Sequence, residues 1–415
     1  MKPNKINNWY EIPACNITNK KAIVIGAGLA GTSAAYSLAK RGFYINLIER
    51  NKVPASESSG NPVAILTPLL SHKNDVIGRF YDKAVNYTIK HIKEFSGGIK
   101  YDLCGAIELS TSKINKNINN LSVAEDKVSR ISNIEASDLC GHHIQTSALY
   151  LKNAGWVCPV DLCNANINKY AGQIQKIFEV SAIKIEQIPN GWIVLDKNNN
   201  IIANAPVVII ANSNDASSFT QTQYLPLISV RGQISYVKSD AINCKTVICY
   251  DSGYVTPNIE GINYIGATYK KDNTSKESTI ADNFINIDNF NKNISCNLSY
   301  NSAVDSRTSF RATVIDRRPI VGPVPDKDAF AIDYQDLKYG KVKEYPKGKY
   351  LPGLYVSTGY GSRGLSACPI AGEILANMIN NEESILEKDI LDAINPARFI
   401  IKNLKSSHNR TTKII

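Results

Sequence analysis

A cluster near the N-terminus has the residue types and spacing to grip a dinucleotide. Gly26, Ala27, Gly28 and Gly31 form G-x-G-x-x-G, and Glu49 follows roughly twenty residues on. The first glycine permits a tight turn, the second lets a pyrophosphate approach the backbone, and the third lets a helix pack closely on its strand. The helix N-terminus then points its N–H groups at the anion. Glu49 is placed to accept from ribose hydroxyls, and its charge disfavours a 2′-phosphate, which argues against NADP. Arg50 adjoins it and joins the expected cofactor set.

A second cluster lies far along the chain. Gly359, Gly361, Ser362 and Gly364 interrupt a strand-to-helix junction in "STGYGSRGLS". The first glycine pattern alone leaves NAD and FAD open. In a simple NAD dehydrogenase nothing near residue 360 need return to the cofactor. A helix N-terminus facing a flavin would stabilise the anionic reduced ring, so FAD is the expected cofactor.

The elements that position these clusters follow from periodicity. "KAIVIGAG" reads as a buried strand, "LAGTSAAYSLAKRG" as a helix with small residues near its start, and "FYINLIER" as the next strand. A second helix is predicted over Val76–Phe95, where Phe80, Ala84, Tyr87 and His91 share a face. "LCGAIELS" is a strand, and "AIKIEQI" with "GWIVLD" flanks a "PNG" turn as a hairpin. "APVVIIANSND" reads as a fully buried parallel strand. "LISVRGQISYV", "TVICYDSGYVTP", "NYIGATY" and "AVDSRTSFRATV" have the texture of an antiparallel sheet. Parallel nucleotide-binding elements therefore stand at both ends, with an antiparallel layer between.

The 415 residues suffice for two domains, or one large domain with an inserted layer. No apolar run approaches the ~20 residues of a membrane span. The first 20 residues lack the apolar core of a signal peptide, so a cytoplasmic protein with reduced thiols is expected. Its 9 cysteines form no C-x-x-C pair, and His142 and His143 are adjacent, so no metal site is expected. Lys and Arg total 47 against 37 acids, a net +10. That excess suits a polyanion partner or a merely basic surface. The tail carries Arg398, Lys402, Lys405, Arg410 and Lys413, and reads as a frayed solubilising end rather than an RNA contact.

Several stretches together resemble the D-amino-acid-oxidase-like FAD oxidoreductases. They are "AIVIGAGLAGTSAAYSLAKRG", "ASESSGNPVAILTPLLS", "NAGWVCPVDLC", "VRGQISYV" and "LYVSTGYGSRGLSACPIAGEILANMINNE", with "DRRPIVGPVPD" and "INPARF" in support. Within that family they are most similar to the FAD-dependent half of the MnmC branch, the bifunctional tRNA 5-methylaminomethyl-2-thiouridine biosynthesis proteins. The Ser-Gly-Asn and Gly-Ser-Arg-Gly-Leu segments are specific to this branch; the glycine fingerprint is not. The resemblance implies an α/β fold: a Rossmann-like FAD-binding domain with an antiparallel β-rich substrate domain. The expected division is an N-terminal extension over 1–20 and an FAD-binding domain over 21–100, 150–226 and 350–385. A substrate domain takes 101–149 and 227–349, and a tail 386–415.

The resemblance also implies that the segment after the second strand runs past the flavin ring, where Ser59, Gly60 and Asn61 would offer polar groups. Two departures stand out. The 20 residues before Lys21 leave no room for the methyltransferase domain of the bifunctional members, so none is expected in this sequence, and "NNWYEIP" looks like the remnant of a joining segment. Ser213 in "ANSND" stands where relatives often have glycine.

The implied reaction is oxidation of a carboxymethylated secondary amine on the wobble uridine of tRNA, releasing glyoxylate and leaving the 5-aminomethyl base. A separate methyltransferase would act next. Such chemistry asks the protein for a carboxylate anchor, which a planar guanidinium supplies in bidentate fashion. Arg311, in "TSFRATV", and Arg363, in "GYGSRGL", fit that role. The alternatives are a surface salt bridge for Arg311 and a phosphate or backbone contact for Arg363. Tyr254 and Gln233 are candidates for orienting the amine, and Asp316, Arg317 and Arg318 for holding a turn. The rival reading is a small-molecule amino-acid or amine oxidase of the glycine-oxidase or D-amino-acid type.

Overall fold

The computed structural model describes residues 8–17, 19–109, 120–271, 273–341 and 343–406; Arg410 and Lys413 lie outside them. The chain opens with β1 (Lys21–Ile25), α1 (Leu29–Ala39), β2 (Tyr44–Glu49), β3 (Ala64–Leu66) and α2 (Val76–Lys93). Next come β4 (Tyr101–Asp102), β5 (Ala106–Glu108), β6 (Val128–Ile131), α3 (Asn133–Cys140), β7 (Ala148–Leu151) and β8 (Gly155–Val157). α4 (Pro159–Lys169) leads to β9 (Ile174–Phe178), β10 (Lys184–Ile188), β11 (Gly191–Leu195), β12 (Ile201–Ala205) and β13 (Val207–Ile210). β14 (Ile228–Val237), β15 (Val247–Tyr250), β16 (Gly253–Val255) and β17 (Asn263–Gly266) follow, then α5 (Ile280–Ile294) and β18 (Ala303–Thr313). The last elements are β19 (Ile320–Pro325), α6 (Lys327–Asp333), β20 (Tyr350–Thr358), α7 (Gly364–Ile379), α8 (Lys388–Ile394) and α9 (Arg398–Ser406).

One sheet is ordered β19-β20-β13-β1-β2-β9, and all its pairings are parallel except β19 with β20. Its central strands are apolar on both faces, as a covered parallel sheet requires. Helices α1 and α7 lie on one face. The meander β10-β11-β12 packs Ile185, Trp192 and Val194 against Ile23, Val208 and Ile210 on the other. Because β1 and β20 run in the same direction, the helices that follow them begin at the same sheet edge. The small residues near the start of α1 now have a reason. A Cβ on Gly372 of α7 would stand 2.5 Å from the Ser33 backbone, so the two helices touch main chain to main chain. At the far end of α1, Arg41 donates to Glu373, Asn377 and Glu382 and ties the pair together.

The second large sheet is ordered β18-β14-β17-β16-β15-β5-β7-β6, antiparallel except where β15 meets β5. Its strands come from 106–151 and 228–313. In the long β14/β18 pair Val230 faces Arg311 and Gln233 faces Thr308. α5 covers one face with Ile287, Phe290 and Ile294.

Two expectations are corrected here. β19 falls within the segment assigned to the substrate domain, but it pairs with β20 at the edge of the parallel sheet. The tail through Ser406 is packed rather than frayed. Arg398 is 8% exposed and bonds Asp316, while Ile400 and Ile401 join Trp9, Phe330 and Tyr334 in one apolar cluster. The same Asp316 accepts from the Arg318 N–H, so this triplet forms the expected turn with Arg317 in the left-handed region. No helix among the described residues is long and apolar enough to cross a membrane.

Candidate active site

The cradle at the sheet edge is built from backbone. Gly26 has φ +103°, and a Cβ there would come 2.7 Å from the Ala211 carbonyl oxygen. A side chain on Gly31 would overlap the Gly26 carbonyl. α1 follows its N-cap Gly28, which supplies no side-chain cap, and has no acid in its first turn, which suits an anion at that end. Glu49 is buried. Its carboxylate accepts from the Ala27 N–H at 2.8 Å and from the Asn51 N–H and amide at 2.9 and 2.7 Å, so it shapes the loop it also borders. Arg50 bridges Asp215 (2.6 Å) and Glu57 (2.9 Å) across the rim. Ser213, at φ +60°, holds a conformation glycine adopts more readily, and its carbonyl accepts from the Thr358 hydroxyl at 2.8 Å.

The 55–61 loop closes against this cradle. The Ser59 hydroxyl accepts from the Leu29 N–H at 3.0 Å, at the first turn of α1. Gly60 has room for no side chain, because a Cβ would strike the Ala55 carbonyl and the Arg307 guanidinium. The Asn61 Oδ1 is buried without a partner among the described residues, as are the Oδ1 of Asn212, whose backbone lies beside Gly26, and that of Asn214. Bare backbone, open helix ends and unsatisfied buried polar atoms suit a polyfunctional dinucleotide. These residues fit FAD.

At the other loop Gly359 and Gly361 have φ +75° and +57°, Ser362 is exposed, and α7 begins at Gly364 without a side-chain cap or a first-turn acid. A Cβ on Gly361 would lie 3.5 Å from the Thr313 methyl on β18. Residues 307, 309, 311 and 313 of β18 share one face by strand alternation. Arg307 thus meets the Ser56–Gly60 loop, Thr313 meets Gly361, and Arg311 stands between them.

Arg311 is the least satisfied cation at this place. Its Nη1 donates to the Thr268 carbonyl at 3.3 Å, and it has no ion pair among the described residues. It lies over Gly232, where any side chain would overlap its guanidinium. Burial lowers its pKa, and Tyr254 and Tyr269 are near enough to act on it. Tyr254 is pushed up to about 12 by burial, against the pull of Arg311.

Gln233 is placed elsewhere. It is fully buried on the opposite face of β14. Its amide nitrogen donates to the Thr279 carbonyl and Asn283, and its oxygen accepts from the Thr279 N–H. The expectation that it orients the amine is corrected: its bonding capacity holds the start of α5, beside the buried Arg231–Asp282 pair at 2.5 Å. Arg363 donates to the carbonyls of Thr67 and Pro68 at 3.2 and 3.4 Å and lies 5.6 Å over the Tyr81 ring. This is the backbone contact that stood as its alternative role. Arg307 was not singled out from sequence, although it sits two alternations from Arg311 on the same predicted strand. Among the described residues no cluster of His, Cys, Asp and Glu could hold a metal ion, and burial raises the thiols of Cys140 and Cys163 to about 12.

Comparison with known proteins agrees with this geometry. A family profile described as DAO, FAD dependent oxidoreductase, matches residues 21–378. The chain is 32% identical over 417 residues to the tRNA 5-methylaminomethyl-2-thiouridine biosynthesis bifunctional protein MnmC of Pseudomonas putida, covering 97% of this chain and 63% of that protein. It is 33% identical over 428 residues to the same-named protein of Saccharophagus degradans, covering 97% and 59%. The chain therefore spans about three fifths of the length of the curated relatives it matches. In fold it is similar to the glycine oxidase of Geobacillus kaustophilus, with a TM-score of 0.68 at 17% identity, covering 89% of this chain and 97% of that one.

Proposed function

We propose that this chain, which belongs to the DAO family of FAD-dependent oxidoreductases, oxidises the carboxymethylaminomethyl arm of the wobble uridine of tRNA in the cytoplasm. The observation that carries this reading is Arg311, a half-buried guanidinium with no carboxylate partner among the described residues, on β18 between Arg307, which holds the Ser56–Gly60 loop, and Thr313, which lies beside Gly361.

Bound FAD supplies a two-electron acceptor for the carbon beside the amine nitrogen. The arm loses hydride and proton to become an imine. Water adds across that bond, glyoxylate leaves, and the 5-aminomethyl base remains. Arg311 grips the arm's carboxylate with two parallel N–H donors, which sets its angle as well as its distance. Because burial presses against the charge of Arg311, an incoming carboxylate supplies the partner that the protein withholds. Tyr254, held protonated by its high pKa, donates its hydroxyl to the same carboxylate. Gly232 leaves the space in which the guanidinium lies.

The net charge of +10 and the name of the relatives favour RNA as the carrier of the amine. A methyltransferase acts on the product in this reading. The test is mass analysis of nucleosides from tRNA of cells lacking the activity, before and after incubation with the flavin-loaded protein. Loss of the carboxymethyl group from the wobble uridine is expected. Unchanged tRNA alongside rapid turnover of free glycine or sarcosine would make the protein a small-molecule amine oxidase instead.

A further inference from the structure

The segment after β17 carries an aromatic ring that the oxidation does not use. Lys270 pairs with Arg231 in an isolated bridge, each N–H donating to the other's carbonyl at 2.9 Å. Bridge partners share a face, and both side chains do reach Asp282: Arg231 at 2.5 Å and Lys270 at 2.6 Å. Lys270 is thereby pinned toward α5. Alternation then sends Tyr269 to the other face, that of Val230, Gly232 and Arg311. The electrostatic influence of Tyr269 on Arg311 agrees with that placement. The ring is 55% exposed and has no stacking partner or hydrogen bond among the described residues. With Lys270, Lys271 and Asn273 it lines a shallow, open groove of about 500 Å³.

We infer that Tyr269 is the stacking platform for the wobble base, holding its ring at the mouth while the acidic arm reaches Arg311. This rests on the proposed RNA substrate. An aromatic face accepts any base, whereas a hydroxyl contact would depend on the phenol oxygen. Lys271, exposed beside the ring, offers a cation to the adjoining backbone phosphate. Pinning Lys270 to a buried carboxylate fixes the platform before RNA arrives, which lowers the ordering cost on binding.

The experiment uses the flavin-loaded full chain and an anticodon stem-loop RNA with 2-aminopurine at the wobble position. Stacking quenches that fluorophore. Quenching is expected with the parent and with Tyr269→Phe at comparable affinity. Tyr269→Ala should bind about 5- to 150-fold more weakly and lose the quench. A parent that fails to quench, a Tyr269→Ala protein that quenches like the parent, or an equal loss in Tyr269→Phe overturns the inference. Nucleoside mass analysis of the parent judges the oxidation separately. Tyr269 is exposed, so flavin content and melting temperature should match the parent.

Discussion

Arg307 holds Gly60 from across the boundary between the two large sheets. Its Nη2 donates to the carbonyls of Ser56 and Glu57 at 2.8 and 2.7 Å, and its guanidinium fills the space a Gly60 side chain would need. One residue of the antiparallel sheet thus sets the position of the Ser56–Gly60 loop.

Arg307→Ala should therefore weaken flavin retention by about tenfold, the effect of losing hydrogen bonds from a charged donor worth about 1.5 kcal/mol. Gly60→Ala should act in the same direction. The ratio of flavin to protein absorbance after dialysis reads both. Full flavin content in both variants would show that the loop is held by other contacts.

Arg311→Lys should keep its flavin and lose about 100-fold in kcat/KM, because an ammonium cannot reproduce a planar fork. Steady-state kinetics on modified tRNA measure this. Apoprotein would move Arg311 from substrate to cofactor.

Acid should act through paired carboxylates. Burial alone would raise Glu57, Asp282 and Glu373, but Arg50 and Lys276, Lys270 and Arg231, and Arg41 respectively hold them below their ordinary values. A depressed carboxyl contributes stability above its unfolded pKa and loses it as pH falls through the folded one. Melting temperature should thus decline below about pH 4.3, the unfolded glutamate value. Glu373→Gln should melt below the parent at neutral pH, with the gap narrowing toward about pH 3. A gap independent of pH would assign its effect to packing.

Asp282→Ala should cost about 3–5 kcal/mol in urea unfolding, since it leaves Arg231 charged and buried. It also frees Lys270, so RNA affinity should fall in the variant that still folds at low temperature. A loss under 1 kcal/mol would mean that the carbonyls of Ser275 and Glu277 satisfy Arg231 on their own.

Ser213→Gly should stabilise by up to about 1 kcal/mol, because relief of left-handed strain outweighs the added freedom of the unfolded chain. Thermal unfolding of the two proteins decides the sign.

The strand–loop–helix units at both ends were legible because they are local: apolar runs, glycine spacing and an acid at a fixed distance. The placement of Gln233 was not. Val230 through Ser235 is buried on both faces, so no polar alternation marks which side meets α5 and which meets Arg311. Only the register Gln233↔Thr308 separates them. β19 was misassigned because Pro323 and Pro325 obscure a strand, and such residues are tolerated at a sheet edge. The tail misled because Arg398 looks like a solvated charge until Asp316, distant in sequence, is brought beside it. Tyr269 carried no motif; the pinned lysine after it is visible only in three dimensions.

The main-chain contact between Ser33 and Gly372 has a consequence for biogenesis. The two glycine loops are separated by most of the polypeptide, so during translation α1 waits without its partner helix while the ribosome completes the rest. A chain stalled before Gly364 therefore lacks the helix whose Gly372 packs against the Ser33 backbone, and α1 is left without that cover.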